Sequence, residues 1–151
     1  MKRSKISSPS PRQITRNTPI SPAPRILIAC GDGRLGLSLA VVLADLCRNI
    51  EVVHTAEQLE ERVHQSEFDL VVTRFVSLLV GSRSLPHRLH HKGLSVRFFA
   101  LLPPLDDVLG EQLCVRLLEG GVAQVLSLPL SAARLHRKVG ELLNGNQKCS
   151  V

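Results

Sequence analysis

The sequence predicts an α/β domain in which a five-stranded parallel sheet is wound with helices on both faces. Three observations carry this. Between residues 25 and 143, short apolar runs alternate five times with amphipathic helical patterns. The runs are apolar at successive positions, as strands covered on both faces must be. Turn and cap residues stand at the joints between runs rather than inside them. A length of 151 residues and an apolar content of 44% suit one domain with one core.

Each element has a local cause. "RILIA" (25–29) reads as a buried strand, and Leu35, Leu39, Val42, Leu43 and Leu46 form the apolar face of the helix after it. "IEVVH" (50–54) is the second strand. Thr55 then suits a helix N-cap, with Gln58 as its capping-box partner and Leu59 and Val63 facing inward. "FDLVVT" (68–73) is the third strand. The stretch 76–93 is broken by Gly81 and Pro86, which predicts a short or interrupted helix. "LSVRFFALL" (94–102) is the fourth strand, and residues 105–118 form a helix stopped by Gly120 and Gly121. "AQVLSL" (123–128) is the fifth strand; Ser131 caps a last helix that runs to residue 143 before Gly145.

Residues 1–24 read as a disordered arm, residues 25–145 as the domain and 146–151 as a short polar tail. The arm holds five of the nine prolines among Ser, Thr, Lys and Arg, and cannot bury enough surface to offset its ordering entropy. The formal charge of +6 also belongs to it. Residues 1–25 contain Lys2, Arg3, Lys5, Arg12, Arg16 and Arg25 and no acid; without these six, 13 basic residues face 13 acids. A basic patch on the domain body is therefore not implied, whereas the arm suits a polyanion such as nucleic acid or an anionic surface. With aromatics at 3% and no Trp or Tyr, base-stacking platforms are not expected.

Cys30, Cys47, Cys114 and Cys149 show no close pairing, which argues against a zinc site or a two-cysteine redox motif. No apolar run approaches a membrane span of about 20 residues. The expectation is a cytoplasmic, non-transmembrane protein.

Parallel α/β sheets place ligands beyond the carboxyl ends of their strands. Four such ends stand out: "ILIACGDGRLG" (26–36), Thr73–Arg74, Leu102–Pro103 and Leu128–Pro129. With these ends in this order, residues 25–143 resemble the receiver domain of bacterial two-component response regulators. "RILIACGD" is similar to a receiver's first strand and acidic pair, and "FDLVVTR" to its third strand and phosphorylation site. "LLEGGVAQVLSLPLSAARLHRKVGELL" is similar to its last loop, strand and helix. The resemblance implies a flavodoxin-like strand order of 2-1-3-4-5.

Receiver chemistry uses an aspartate nucleophile after the third strand and two carboxylates after the first to hold magnesium. A hydroxyl after the fourth strand and a lysine after the fifth bind the phosphoryl oxygens. By the resemblance, the nucleophile position falls on Arg74, the acidic pair on Cys30 and Gly31, the hydroxyl on Leu102 and the lysine on Leu128. All five are replaced, and Asp32 alone is a poor substitute for the pair. Arginine stays protonated and forms no acyl phosphate. The implication is a pseudo-receiver: no enzyme activity, no metal, no cofactor, and no phosphorylation by the receiver mechanism.

Alternatives attach to particular residues. Cys30 at the start of a helix resembles the cysteine of phosphotransferase-system IIB subunits, which would make the chain a phosphocysteine carrier, although Asp32 would repel a phosphoryl group. Its simpler role is a small, half-buried apolar residue at a strand end. Arg74 suits an anion, or a salt bridge to Asp32 that pins two loops. His87, His90 and His91 offer imidazoles at helical spacing, but with Arg83, Arg88 and Lys92 they read better as a solvated basic surface than as a zinc site. The function expected is a regulatory protein-interaction module. The resemblance implies docking through the fourth and fifth helices, leaves room for a homodimer, and requires a partner to carry the effect. A nucleic-acid-associated regulator binding through the arm is the other alternative.

Overall fold

The computed structural model describes residues 24–143. Strands β1 (Arg25–Ala29), β2 (Asn49–Val53), β3 (Leu70–Thr73), β4 (Arg97–Leu102) and β5 (Gln124–Ser127) form one sheet in the order β2-β1-β3-β4-β5, with every neighbouring pair parallel. Helices α1 (Gly33–Leu43), α2 (Ala56–Gln65), α3 (Leu85–His91), α4 (Asp107–Glu119) and α5 (Ala132–Leu143) make the crossovers, with a 3-10 turn at Val76–Leu78 ahead of α3. The strand order is the one the resemblance implies. It reverses between β1 and β3, which sets a crevice at their carboxyl ends. The arm residues Lys2, Arg3, Lys5, Arg12 and Arg16, the polar tail and Cys149 lie outside the described residues.

Two cores follow from the period-2 alternation of the central strands. Leu27, Ala29, Val71, Phe98 and Ala100 point to the side covered by α2, α3 and α4. Ile26, Ile28, Val72, Phe99 and Leu101 point to the side covered by α1 and α5, where Leu39, Leu43, Leu135 and Val139 meet them. Ile26, Leu27 and Ile28 have no solvent exposure at all. Burial of each such side chain stabilises the fold by about 1.5–3 kcal/mol.

Caps set the helix limits. Thr55 accepts from Gln58 N–H (3.0 Å) while the Gln58 side chain accepts from Thr55 N–H (3.2 Å), the reciprocal box the sequence predicts. Ser131 accepts from Arg134 N–H at 3.1 Å and starts α5. Helix α4 begins at Asp107 rather than at residue 105, because Asp106 caps it by accepting from Leu109 N–H at 2.8 Å. Pro86 does not interrupt α3. It sits in the first turn, where a missing N–H costs nothing, and Ser84 supplies the cap. Helix α1 ends at Leu43, so Leu46 is half-buried beyond it rather than on the helix.

The joint between α3 and α4 is tighter than the sequence suggests. The buried Ser84 hydroxyl donates to the Gly120 carbonyl at 2.6 Å. A Cβ on Gly120 would lie 2.0 Å from the Leu79 carbonyl oxygen, so only glycine fits. Gly121 follows with φ of +97°, the left-handed turn that ends the helix.

Candidate functional site

The carboxyl edge of the sheet holds all the strand-end positions singled out from the sequence. Backbone hydrogen bonds carry the ladders one residue past the strands: Cys30 N–H donates to Val53 O (3.1 Å), Arg74 N–H to Ala29 O (3.2 Å) and Leu128 N–H to Leu102 O (2.7 Å). Arg74 therefore stands beside Cys30 at the point where strand order reverses, and Leu128 stands beside Leu102 one strand further on. The Leu128–Pro129 peptide bond is cis. After β3 the Thr73 hydroxyl accepts from Phe75 N–H at 2.9 Å, which turns the chain at Arg74.

Burial separates these residues. Cys30 is 1% exposed and packs in the α1/α5 core, so it is buried rather than half-buried. The reason is that it continues the inward face of β1, with Gly36 of α1 close against its Cβ. This removes the accessibility that a phosphocysteine would need. Leu102 is likewise buried, in the opposite core, while Leu128 and Arg74 are half-buried. Gly31 and Asp32 are exposed.

Asp32 does not pair with Arg74. Its carboxylate is turned to α1, where Oδ1 accepts from Arg34 N–H (2.9 Å) and Leu35 N–H (3.4 Å) as the N-cap. A short aspartate just ahead of a helix satisfies two otherwise unpaired amides there, and this local bond wins over one to a distant arginine. Arg74 is left with no carboxylate partner among the described residues.

One group at this edge escaped the sequence reading. His54, at the end of β2, brings Nδ1 to 3.4 Å from the Cys30 carbonyl oxygen, over the glycine loop. Its only signal was its place as the last residue of "IEVVH". The edge thus presents an arginine, a histidine and a carboxylate already engaged by amides. Magnesium needs several oxygen ligands. Among the described residues no group of three or more His, Cys, Asp or Glu side chains is placed to hold a metal, the histidines of 87–91 included. His87 instead uses Nε2 in a 2.9 Å hydrogen bond with the Glu119 carbonyl.

The helices flanking β5 carry the other candidate surface. In α4 only Leu117 is buried; Val108 (64% exposed), Val115 (51%) and Leu118 (54%) share an outward stripe at helical spacing, with Leu109 and Leu105 exposed beside it. Helix α5 buries Leu135 and Val139 and turns Arg134 and Arg137 outward. A further exposed pair, Leu37 and Val41, lies four residues apart on α1. No described helix is long and apolar enough to cross a membrane.

No protein-family model and no curated protein matches the chain. Solved structures do. Full-length FixJ from B. japonicum superposes with a TM-score of 0.66 at 16% identity, covering 83% of this chain and 60% of that one. The receiver domain of the Francisella response regulator 1452 gives 0.65 at 17% identity, covering 82% and 99%. HP1043, an orphan response regulator of H. pylori, gives 0.63 at 19% identity, covering 80% and 96%. With five parallel strands in the order 2-1-3-4-5 and five crossover helices, the chain has the fold of the response-regulator receiver domains.

Proposed function

We propose that this receiver-fold chain is a non-enzymatic interaction module that docks a protein partner without an aspartyl-phosphate switch. The observation that carries the reading is Arg74 at the carboxyl end of β3, hydrogen-bonded through its backbone to Ala29 and adjacent to Cys30. A receiver requires a carboxylate nucleophile at that point, and the guanidinium supplies none. Cys30 and Leu102 are apolar and buried, and Asp32 is committed to α1. The degenerate pocket, Cys30, Gly31, Asp32, Arg74, Leu102 and Leu128, then serves to fix the strand-end loops. The α4 stripe of Val108, Val115 and Leu118 is the surface offered to a partner, since exposed apolar residues gathered on one face mark interaction sites.

Incubation with acetyl phosphate and magnesium, followed by intact-mass measurement, tests the reading. The expected result is no phosphoryl adduct and no beryllium fluoride adduct. Stoichiometric phosphorylation of any aspartate would overturn it. The docking half is tested separately by Val115→Glu, which is expected to abolish partner binding while leaving the thermal midpoint within a few degrees.

A further inference from the structure

The opposite, amino edge of the sheet holds an open cavity of about 620 Å³, within the range of small-ligand sites. It lies between the start of β4, the helix α3 and the end of α5. Its lining contains one guanidinium, Arg97 at the start of β4, and one carboxylate, Asp69 just ahead of β3. They form no ion pair with each other, nor with any other described residue. Arg97 Nη1 donates to the Leu142 carbonyl at 2.5 Å, and among the described residues no carboxylate meets its exposed guanidinium. Asp69, also exposed, accepts at Oδ2 the backbone N–H of Arg25, at 2.8 Å, its carboxylate's one hydrogen-bond partner among the described residues. Around these charges stand Leu70, Leu94, Val96 and Leu142, with His87 and His90 of α3 on the remaining side.

We propose that this cavity binds a small zwitterion with an apolar side chain, an aliphatic α-amino acid. Its carboxylate would meet the Arg97 guanidinium, its ammonium the Asp69 carboxylate, and its side chain the apolar wall. A simple anion would meet Arg97 but would face Asp69, whereas a zwitterion answers both charges at once. The inference is independent of the docking function, since the cavity and the α4 stripe share no residue.

Titration of the full chain with L-leucine, followed by amide chemical shifts, is the test. Shifts are expected to concentrate at residues 94–97 and 142–143. Arg97→Gln and Asp69→Asn, each retaining a dispersed spectrum, should weaken binding at least about tenfold. N-acetyl-leucine and leucinamide, which each lack one charge, should bind as weakly as leucine binds the variants. The proposal fails if leucine shifts none of these amides up to about 10 mM. It also fails if N-acetyl-leucine matches leucine, or if Asp69→Asn binds undiminished.

Discussion

Arg74 and Asp32 show how a single local bond redirects a site. Two opposite charges at adjacent strand ends suggest a salt bridge, yet Asp32 stands where two helix amides need an acceptor, and the nearer partners take it. The consequence reaches the chemistry. Under the proposed reading, replacing Arg74 by aspartate places a carboxylate at the end of β3 without gathering a metal, because Cys30 and Gly31 offer no oxygen side chains and Asp32 is engaged. Arg74→Asp is therefore expected to remain unphosphorylated by acetyl phosphate with magnesium, as judged by intact mass. A phosphorylated variant would show that the edge still gathers a metal. Cys47 is a counterpart in the body of the fold. Burial pushes its thiol pKa up, and its Sγ donates to the Pro24 carbonyl at 2.8 Å, so it stays neutral and structural.

Among the elements, those set by neighbours in sequence were legible and those set by contacts across the fold were not. The Thr55–Gln58 box, the Ser131 cap and the apolar run of β1 need only residues a few positions apart and appear as read, whereas β3 and β4 begin two and three residues later than their apolar runs suggest. The start of α4 shifted by two residues because Asp106 was available as a cap. The Ser84–Gly120 bond joins residues 36 apart, and the amino-edge cavity draws on β3, β4, α3 and α5, so neither leaves a local signature. The α3–α4 joint is expected to be the most sensitive of these. Gly120→Ala forces a Cβ against the Leu79 carbonyl and should cost about 3 kcal/mol in urea unfolding, the upper range for an overpacked site. Ser84→Ala leaves the Gly120 carbonyl without its buried donor and should cost about 1–2 kcal/mol. Comparable stability of Gly120→Ala and the parent would mean that the joint yields easily.

The same logic gives the edge elements their pH dependence. Arg62 of α2 binds Glu51 of β2, with Nη2 at 2.9 Å from Oε1, and Arg88 of α3 binds Glu60 of α2. The guanidinium hydrogen bond holds each carboxyl below the usual glutamate range. A carboxylate whose folded pKa is depressed contributes stability that is present above its unfolded value, about 4.3, and is lost as pH falls through the folded value. Both pairs are partly exposed, so each contribution is modest, about 0–1 kcal/mol. Urea midpoints should hold steady above about pH 5 and fall below pH 4. Arg62→Gln and Arg88→Gln together should flatten that acid limb, and an unchanged limb would assign it to other carboxylates.

For the whole molecule, the sequence divides charge from fold. The six basic residues of 1–25 account for the net +6, while the rest of the chain is formally neutral and its basic side chains on α2 and α3 are partly paired with Glu51 and Glu60. Binding to nucleic acid, if it occurs through the arm, is then chiefly release of counterions by about five or six contacts. Such binding should fall steeply between 50 and about 200 mM salt. Deleting residues 1–23 should leave thermal unfolding of the remaining chain unchanged and remove the binding, since the described residues carry the sheet, both cores and no aromatic stacking surface. Salt titrations of full-length and truncated protein against one duplex decide the point. A truncated chain that still binds with a comparable salt slope would move the contact to the cations that flank α3. Arg83 and Lys92 lie exposed there, and Lys92 Nζ meets His64 Nδ1 at 3.2 Å instead of a carboxylate. Charge reversal at Arg83 and Lys92 would then be the variant that abolishes it.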